Sequence, residues 1–214
     1  NIKLFQFIYE ESPGEKWLAF YNDTIQSYKK WFLQEGEFNR PNYQACHNAL
    51  EHYMPEFLPF WKNLIKQTNA GDLESRLLSF YCPAPYLSGC SQAVWTKYNP
   101  VLVRNYDYDI NLCEARILKS KWFDTEVIAS TDCLWGVLDG INEHGLSISL
   151  AFGGSKDRGI GFGIPIILRY ILEFCETTEQ AIKILQRIPT HMAYNITIID
   201  IHNHVVTVEV GPDN

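Results

Sequence analysis

The stretch Cys82-Pro83-Ala84-Pro85-Tyr86-Leu87-Ser88-Gly89-Cys90-Ser91 divides the chain in two. Two prolines and a glycine bar it from a helix interior. The sequence before it reads helical. Trp17, Phe20, Tyr21, Thr24, Ile25, Tyr28, Trp31 and Phe32 recur at spacings of three and four, the stripe of one amphipathic helix. Ser12-Pro13-Gly14-Glu15 opens that helix and Gly36 stops it. A second helical run is expected over 43–67, broken or kinked near Pro55 and Pro59, and a third over 72–80.

Beyond Gly89 the texture changes to short runs of β-branched and aromatic residues. Strands are expected at 92–98, 101–106, 115–123, 126–130, 134–138 and 146–152. Asn99-Pro100 and Glu143-His144-Gly145 mark hairpin turns. Two helices follow, over about 164–175 and 179–187, and strands at 195–201 and 205–210 close the chain. Helices, antiparallel strands, two helices and more strands make an α+β protein rather than a regular βαβ alternation.

Composition narrows the function. The 214 residues suit one large domain, or a domain with an appendage, and 46% apolar residues suffice for a core. Aromatic residues reach 14%, which favours large packing faces or an aromatic-lined pocket. Eighteen basic against 25 acidic residues leave a net charge of −7, and no basic patch is visible, so a nucleic-acid partner is not expected. No apolar run approaches the roughly 20 residues that span a bilayer. The first eleven residues carry neither a sustained apolar run nor a small-residue cleavage site, so no signal peptide is expected. Six scattered cysteines without a C-x-x-C pair suggest reduced thiols in a cytoplasm rather than a zinc cluster or a disulfide framework.

Cys90 is the residue whose position suggests chemistry. A thiol directly after glycine, at the start of a strand, suits attack on its own preceding carbonyl, because glycine permits close approach at that bond. The product would be an N-terminal cysteine whose α-amino group titrates near about 7.7–8.0, in range to serve as base for its own thiol. Arg104-Asn105-Tyr106-Asp107-Tyr108 lies one hairpin later. Arginine beside a thiol favours the thiolate, and a carboxylate can hold an ammonium. On a regular strand Arg104 and Asp107 point to opposite faces. In Asp139-Gly140-Ile141-Asn142-Glu143-His144-Gly145-Leu146, the Asn142 amide is a candidate donor to an oxyanion. Gly159-Ile160-Gly161-Phe162-Gly163, with Gly153-Gly154, reads as a loop flanking a pocket or a mobile lid. His202-Asn203-His204 reads as a solvated turn, since no third metal ligand is in view.

Taken together, Gly89-Cys90-Ser91, Arg104-Asn105-Tyr106-Asp107-Tyr108 and Asn142-Glu143-His144-Gly145-Leu146 resemble the N-terminal-nucleophile hydrolases that split linear amides. That family includes the choloylglycine hydrolases and the acid ceramidase type. The helical leader ending at Gly-Cys resembles most closely the acyl-coenzyme A:6-aminopenicillanic acid acyltransferase group, also grouped as a cysteine peptidase family. The resemblance is strongest over 89–154. It implies a four-layer αββα fold of two antiparallel sheets, activated by cleavage between Gly89 and Cys90. It divides the chain into a leader, 1–89, and a core, 90–214. It makes Cys90 the nucleophile and, through its freed amine, the base. Arg104 becomes the arginine beside the thiol, Asp107 the carboxylate that orients the amine, and Asn142 the oxyanion asparagine. Tyr106 and Tyr108 match the motif and need only pack. The family's second oxyanion asparagine has no counterpart before the chain stops at Asn214, which is given no role. A core truncated at the C-terminus is therefore expected.

The expected activity is that of a self-processing cysteine amidohydrolase or acyltransferase on linear amides, through an acyl-thioester on Cys90. Its partner is a small acyl amide, and no metal or organic cofactor is required. A homo-oligomer is left open. Two alternatives stand beside it: an uncleaved, dormant precursor or non-catalytic scaffold, and a cysteine enzyme working without cleavage with His144 as base.

Overall fold

The computed structural model describes residues 2–86, 89–107 and 109–212. Six helices and nine strands follow in the order β1 (Gln6–Glu10), α1 (Glu15–Phe32), α2 (Tyr43–Tyr53), α3 (Phe57–Thr68), α4 (Asp72–Ser79), β2 (Cys90–Trp95), β3 (Val101–Tyr106), β4 (Arg116–Ser120), β5 (Val127–Asp132), β6 (Gly136–Asn142), β7 (Ser147–Phe152), α5 (Ile164–Phe174), α6 (Thr178–Arg187), β8 (Tyr194–Ile199) and β9 (Val205–Val210). Seven strands form one sheet in the order β1-β4-β5-β6-β7-β8-β9, and β2-β3 form a separate hairpin. The α+β class is therefore as expected. Three details differ. A strand, β1, stands in the leader and pairs in parallel with β4. The run expected over 43–67 is two helices, because the chain turns at Met54-Pro55-Glu56 before α3 begins. β6 starts and ends later than the expected strand at 134–138.

The two faces of the large sheet have opposite chemistry, and strand register shows why. Ser130, Asp139, Ser149, Thr197 and Thr207 pair in sequence across β5 to β9. One residue away, Ala129, Gly140, Ile148, Ile198 and Val206 form the matching row on the other face. Side chains alternate along a strand, so the first row makes a polar face and the second an apolar one. The apolar face packs against α5 and α6, and its residues belong to one hydrophobic cluster with the leader helices. Phe57 and Trp135 are central to it, with rings 5.0 Å apart and both fully buried. Trp17 Nε1 donates to the Leu134 carbonyl at 3.0 Å, and Trp135 Nε1 to that of Leu78 at 2.9 Å. The segments before and after Gly89 thus share one interior.

The polar face receives the β2-β3 hairpin. Gln92 Oε1 accepts from Ser149 Oγ at 2.6 Å, and Arg104 reaches Asp139. Two sheets therefore face each other, with helices behind the larger. The hairpin's outer residues, among them Trp95, Val101 and Val103, are exposed, so the described residues do not form the fourth, outer layer of the expected αββα arrangement. Among the described residues, no helix is long and apolar enough to cross a membrane.

Candidate active site

The hairpin turn at Asn99-Pro100 sets a register in which Cys90 opposes Tyr106 and Gln92 opposes Arg104. Cys90, Gln92, Arg104 and Tyr106 share the inward face by strand periodicity. Arg104 therefore lies diagonally across from Cys90, and its Nη2 donates to Cys90 Sγ at 2.7 Å. The other two arms of the guanidinium are also held. Nε donates to the Leu150 carbonyl at 2.9 Å, and Nη1 reaches Asp139 Oδ2 at 2.8 Å. The Arg104 side chain is only 5% exposed, so its charge acts on the sulfur with little screening by water. Its guanidinium also stands over the Tyr106 ring, 5.3 Å from the centroid.

Asp107 follows the end of β3 and occupies the outer side of the hairpin, as a three-residue offset from Arg104 requires. Its carboxylate accepts from Ser91 Oγ at 3.1 Å and from the Asn105 side chain. Its backbone N–H donates to the Gly89 carbonyl at 2.9 Å. The same approach explains glycine at 89. A Cβ there would lie 2.7 Å from the Asp107 carbonyl oxygen, a clash with backbone that cannot move freely. Upstream, Trp31 Nε1 and Gln34 Nε2 both donate to the Pro85 carbonyl, at 3.3 and 3.2 Å, so the last turn of α1 and the turn after it hold the chain at Pro85.

Asn142 is not brought to the thiol. It leaves β6 on the face opposite Asp139, is buried, and donates to the carbonyls of Leu172 at 3.0 Å and Cys175 at 2.7 Å. Its Oδ1 accepts from the N–H groups of His144 and Leu146. All four hydrogen-bonding positions are used to tie the β6-β7 turn to the end of α5, which corrects the expected oxyanion role. His144 is exposed on that turn. Tyr108, Leu87, Ser88 and Asn214 lie outside the described residues. Asp139, which the sequence reading gives no role, belongs to the site through Arg104. The signal that could have found it is its odd offset from Asn142, which puts the two on opposite faces.

Two cavities are of note, one of them lined by Arg104. A groove of about 510 Å³ runs between hairpin and sheet, lined by Phe5, Leu102, Arg104, Asp139, Ile141 and Ser149 among others. A pocket of about 370 Å³ lies under α1, walled by Phe20, Tyr28, Trp31 and Tyr86. At its base Tyr28 donates to Glu114 Oε1 at 2.5 Å and lies 3.3 Å from Asp132 Oδ1. Burial, then the Glu114 charge, pushes Asp132 up to about 7. Burial likewise raises Glu114, and raises Tyr28 well above its ordinary value. These carboxylates hold Cys133 and Leu134 in left-handed backbone at φ 60° and 69°, by accepting their N–H groups. Among the described residues, no group of three or more His, Cys, Asp or Glu side chains is placed to hold a metal. His202 and His204 sit on the β8-β9 turn, where their N–H groups donate to Asp200.

Cys90 thus opens a strand of the smaller sheet, under an arginine, where that sheet faces the larger one. The chain belongs to the acyl-coenzyme A:6-aminopenicillanic acid acyl-transferase family, whose model matches residues 94–214. That match begins four residues after Cys90. No curated protein matches the chain. Among solved structures it is similar to penicillin V acylase from Agrobacterium tumefaciens, at 15% identity and a TM-score of 0.28, over 57% of this chain and 39% of that one. The chain thus spans about two fifths of that acylase's length.

Proposed function

We propose that this chain is a self-processing cysteine amidohydrolase or acyltransferase acting on linear amides, with Cys90 as nucleophile. The observation that carries the reading is the 2.7 Å contact of Arg104 Nη2 with Cys90 Sγ at the first residue of a strand. A buried guanidinium favours thiolate over thiol.

In the first step the sulfur attacks the Gly89 carbonyl carbon. The C–N bond to Cys90 breaks, a thioester to Gly89 forms, and the nitrogen takes up a proton. Water then hydrolyses the thioester, leaving a Gly89 carboxylate and a free Cys90 thiol and amine. The Asp107 N–H on the Gly89 oxygen supports this step, because it is a donor already aimed at the atom that becomes the oxyanion. The freed amine emerges at the start of β2, where the Asp107 carboxylate can orient it.

In turnover the α-amine takes the thiol proton and the sulfur attacks the substrate carbonyl. The same proton passes to the leaving amine, and an acyl-thioester remains for transfer to water or to a second amine. The groove beside Arg104, with Phe5, Leu102 and Ile141 on its walls and Ser147 and Ser149 on its floor, suits an acyl amide with both apolar and polar parts. No metal or organic cofactor enters this scheme.

The test is a panel of acyl amides of increasing acyl length, with intact-mass detection of the acyl-enzyme. A hydroxylamine-labile acyl adduct on the Cys90 peptide is expected, and it disappears in Cys90→Ala. Turnover that survives Cys90→Ala overturns the reading.

A further inference from the structure

We infer that Asp139 is a positioning residue for the Cys90 thiolate, acting through Arg104. This deepens the reading above and rests on Cys90 being the reactive thiol. Arg104 sits on a flexible stem, and one contact would not fix which nitrogen meets the sulfur. Three contacts at three different nitrogens do: Leu150 O on Nε, Asp139 Oδ2 on Nη1 and Cys90 Sγ on Nη2. A planar guanidinium held at two points has its third direction determined. The carboxylate is 30% exposed along the groove, whereas the Arg104 side chain is 5% exposed. Asp139 thus compensates an otherwise isolated buried charge and aims it.

Asp139 also has an opposing electrostatic effect. Its own negative charge disfavours a second negative charge on the sulfur, so aim and charge pull in different directions. Among the described residues, the charged and titratable groups around the pair include Tyr106 on β3, Asp107 just after it, Asp139 on β6 and Asp132 at the end of β5, with Cys113 and Arg116 across the groove. β7 offers Ser149 and the Leu150 carbonyl. Removing charge while keeping an acceptor is therefore distinguishable from removing both.

The experiment measures the rate of iodoacetamide alkylation of Cys90 against pH, by mass of its peptide, in the full chain and in three variants. Asp139→Asn keeps an acceptor for Nη1 and drops the charge, so the titration midpoint of Cys90 is expected to fall or hold. Asp139→Ala drops both, so the midpoint is expected to rise and the rate at pH 7 to fall about three- to tenfold. Ser149→Ala, a neighbour in the same polar row, is expected to leave the midpoint where it was. Circular dichroism checks the fold, and Asp139→Ser replaces the alanine variant should that chain unfold. Equal shifts in the asparagine and alanine variants, or none in either, overturn the inference. A split between them with no amidase activity sustains the positioning role and removes the proposed function. Activity with no split does the reverse.

Discussion

Asp139 and Asn142 are three residues apart on one strand, yet they do different work. Asp139 leaves the sheet toward the hairpin and meets Arg104 in a partly solvated groove. Asn142 leaves toward α5 and spends its amide on two carbonyls in the core. The difference extends across five strands. The row containing Asp139 is Ser, Asp, Ser, Thr and Thr, while the row beside it is Ala, Gly, Ile, Ile and Val. One face is built to be packed and the other to be used.

The comparison breaks most sharply at Cys90. Cys90→Ala is expected to abolish chain cleavage and to lower amide turnover by about 10³-fold or more, while thermal unfolding stays close to the parent. Turnover assays beside a melting curve read both. On the packed face Ile148→Ala is expected to cost about 2–4 kcal/mol in urea unfolding, as a fully buried branched residue should. Its neighbour Ser149→Ala, on the other face, is expected to cost about 1 kcal/mol, the loss of one hydrogen bond to Gln92.

Asn142→Ala sharpens the contrast further. It strands the Leu146 and His144 N–H groups and two carbonyls, at a cost of about 2 kcal/mol, and leaves Cys90 alkylation unchanged. A slowed alkylation with intact stability would return Asn142 to the site.

A pH-dependent effect is expected at the base of the α1 pocket. Asp132 in the folded chain titrates at about 7, above its ordinary 3.8, because it is buried beside Glu114. Between those values the folded state holds the extra proton. Its contribution is most favourable below the ordinary value and is lost as pH rises through about 7. Asp132→Asn is therefore expected to stabilise the chain at pH 8 and to change little at pH 4. Unfolding curves at the two pH values check it.

Much of this was legible in the sequence. The proline-rich break before Gly89 marked where the helical run gives way to most of the strands, and Asn99-Pro100 placed Arg104 in a strand returning beside Cys90. The face of Asn142 was not legible, because the expected strand at 134–138 stopped before Asp139 and so carried no phase into the turn. A strand's phase depends on where its pairing begins, and the left-handed turn at Cys133 and Leu134 shifts that point. β1 escaped for a related reason. It is a five-residue edge strand with Phe7 and Tyr9 exposed, so burial left no alternating signature.

Leader and core share a hydrophobic interior, so folding alone does not tell a whole chain from a cut one. N-terminal sequencing with intact mass, after prolonged incubation of the purified chain, tells them apart directly. Self-processing gives two co-purifying fragments, the second beginning at Cys90. A chain that stays in one piece while Cys90-dependent amide turnover proceeds would contradict it.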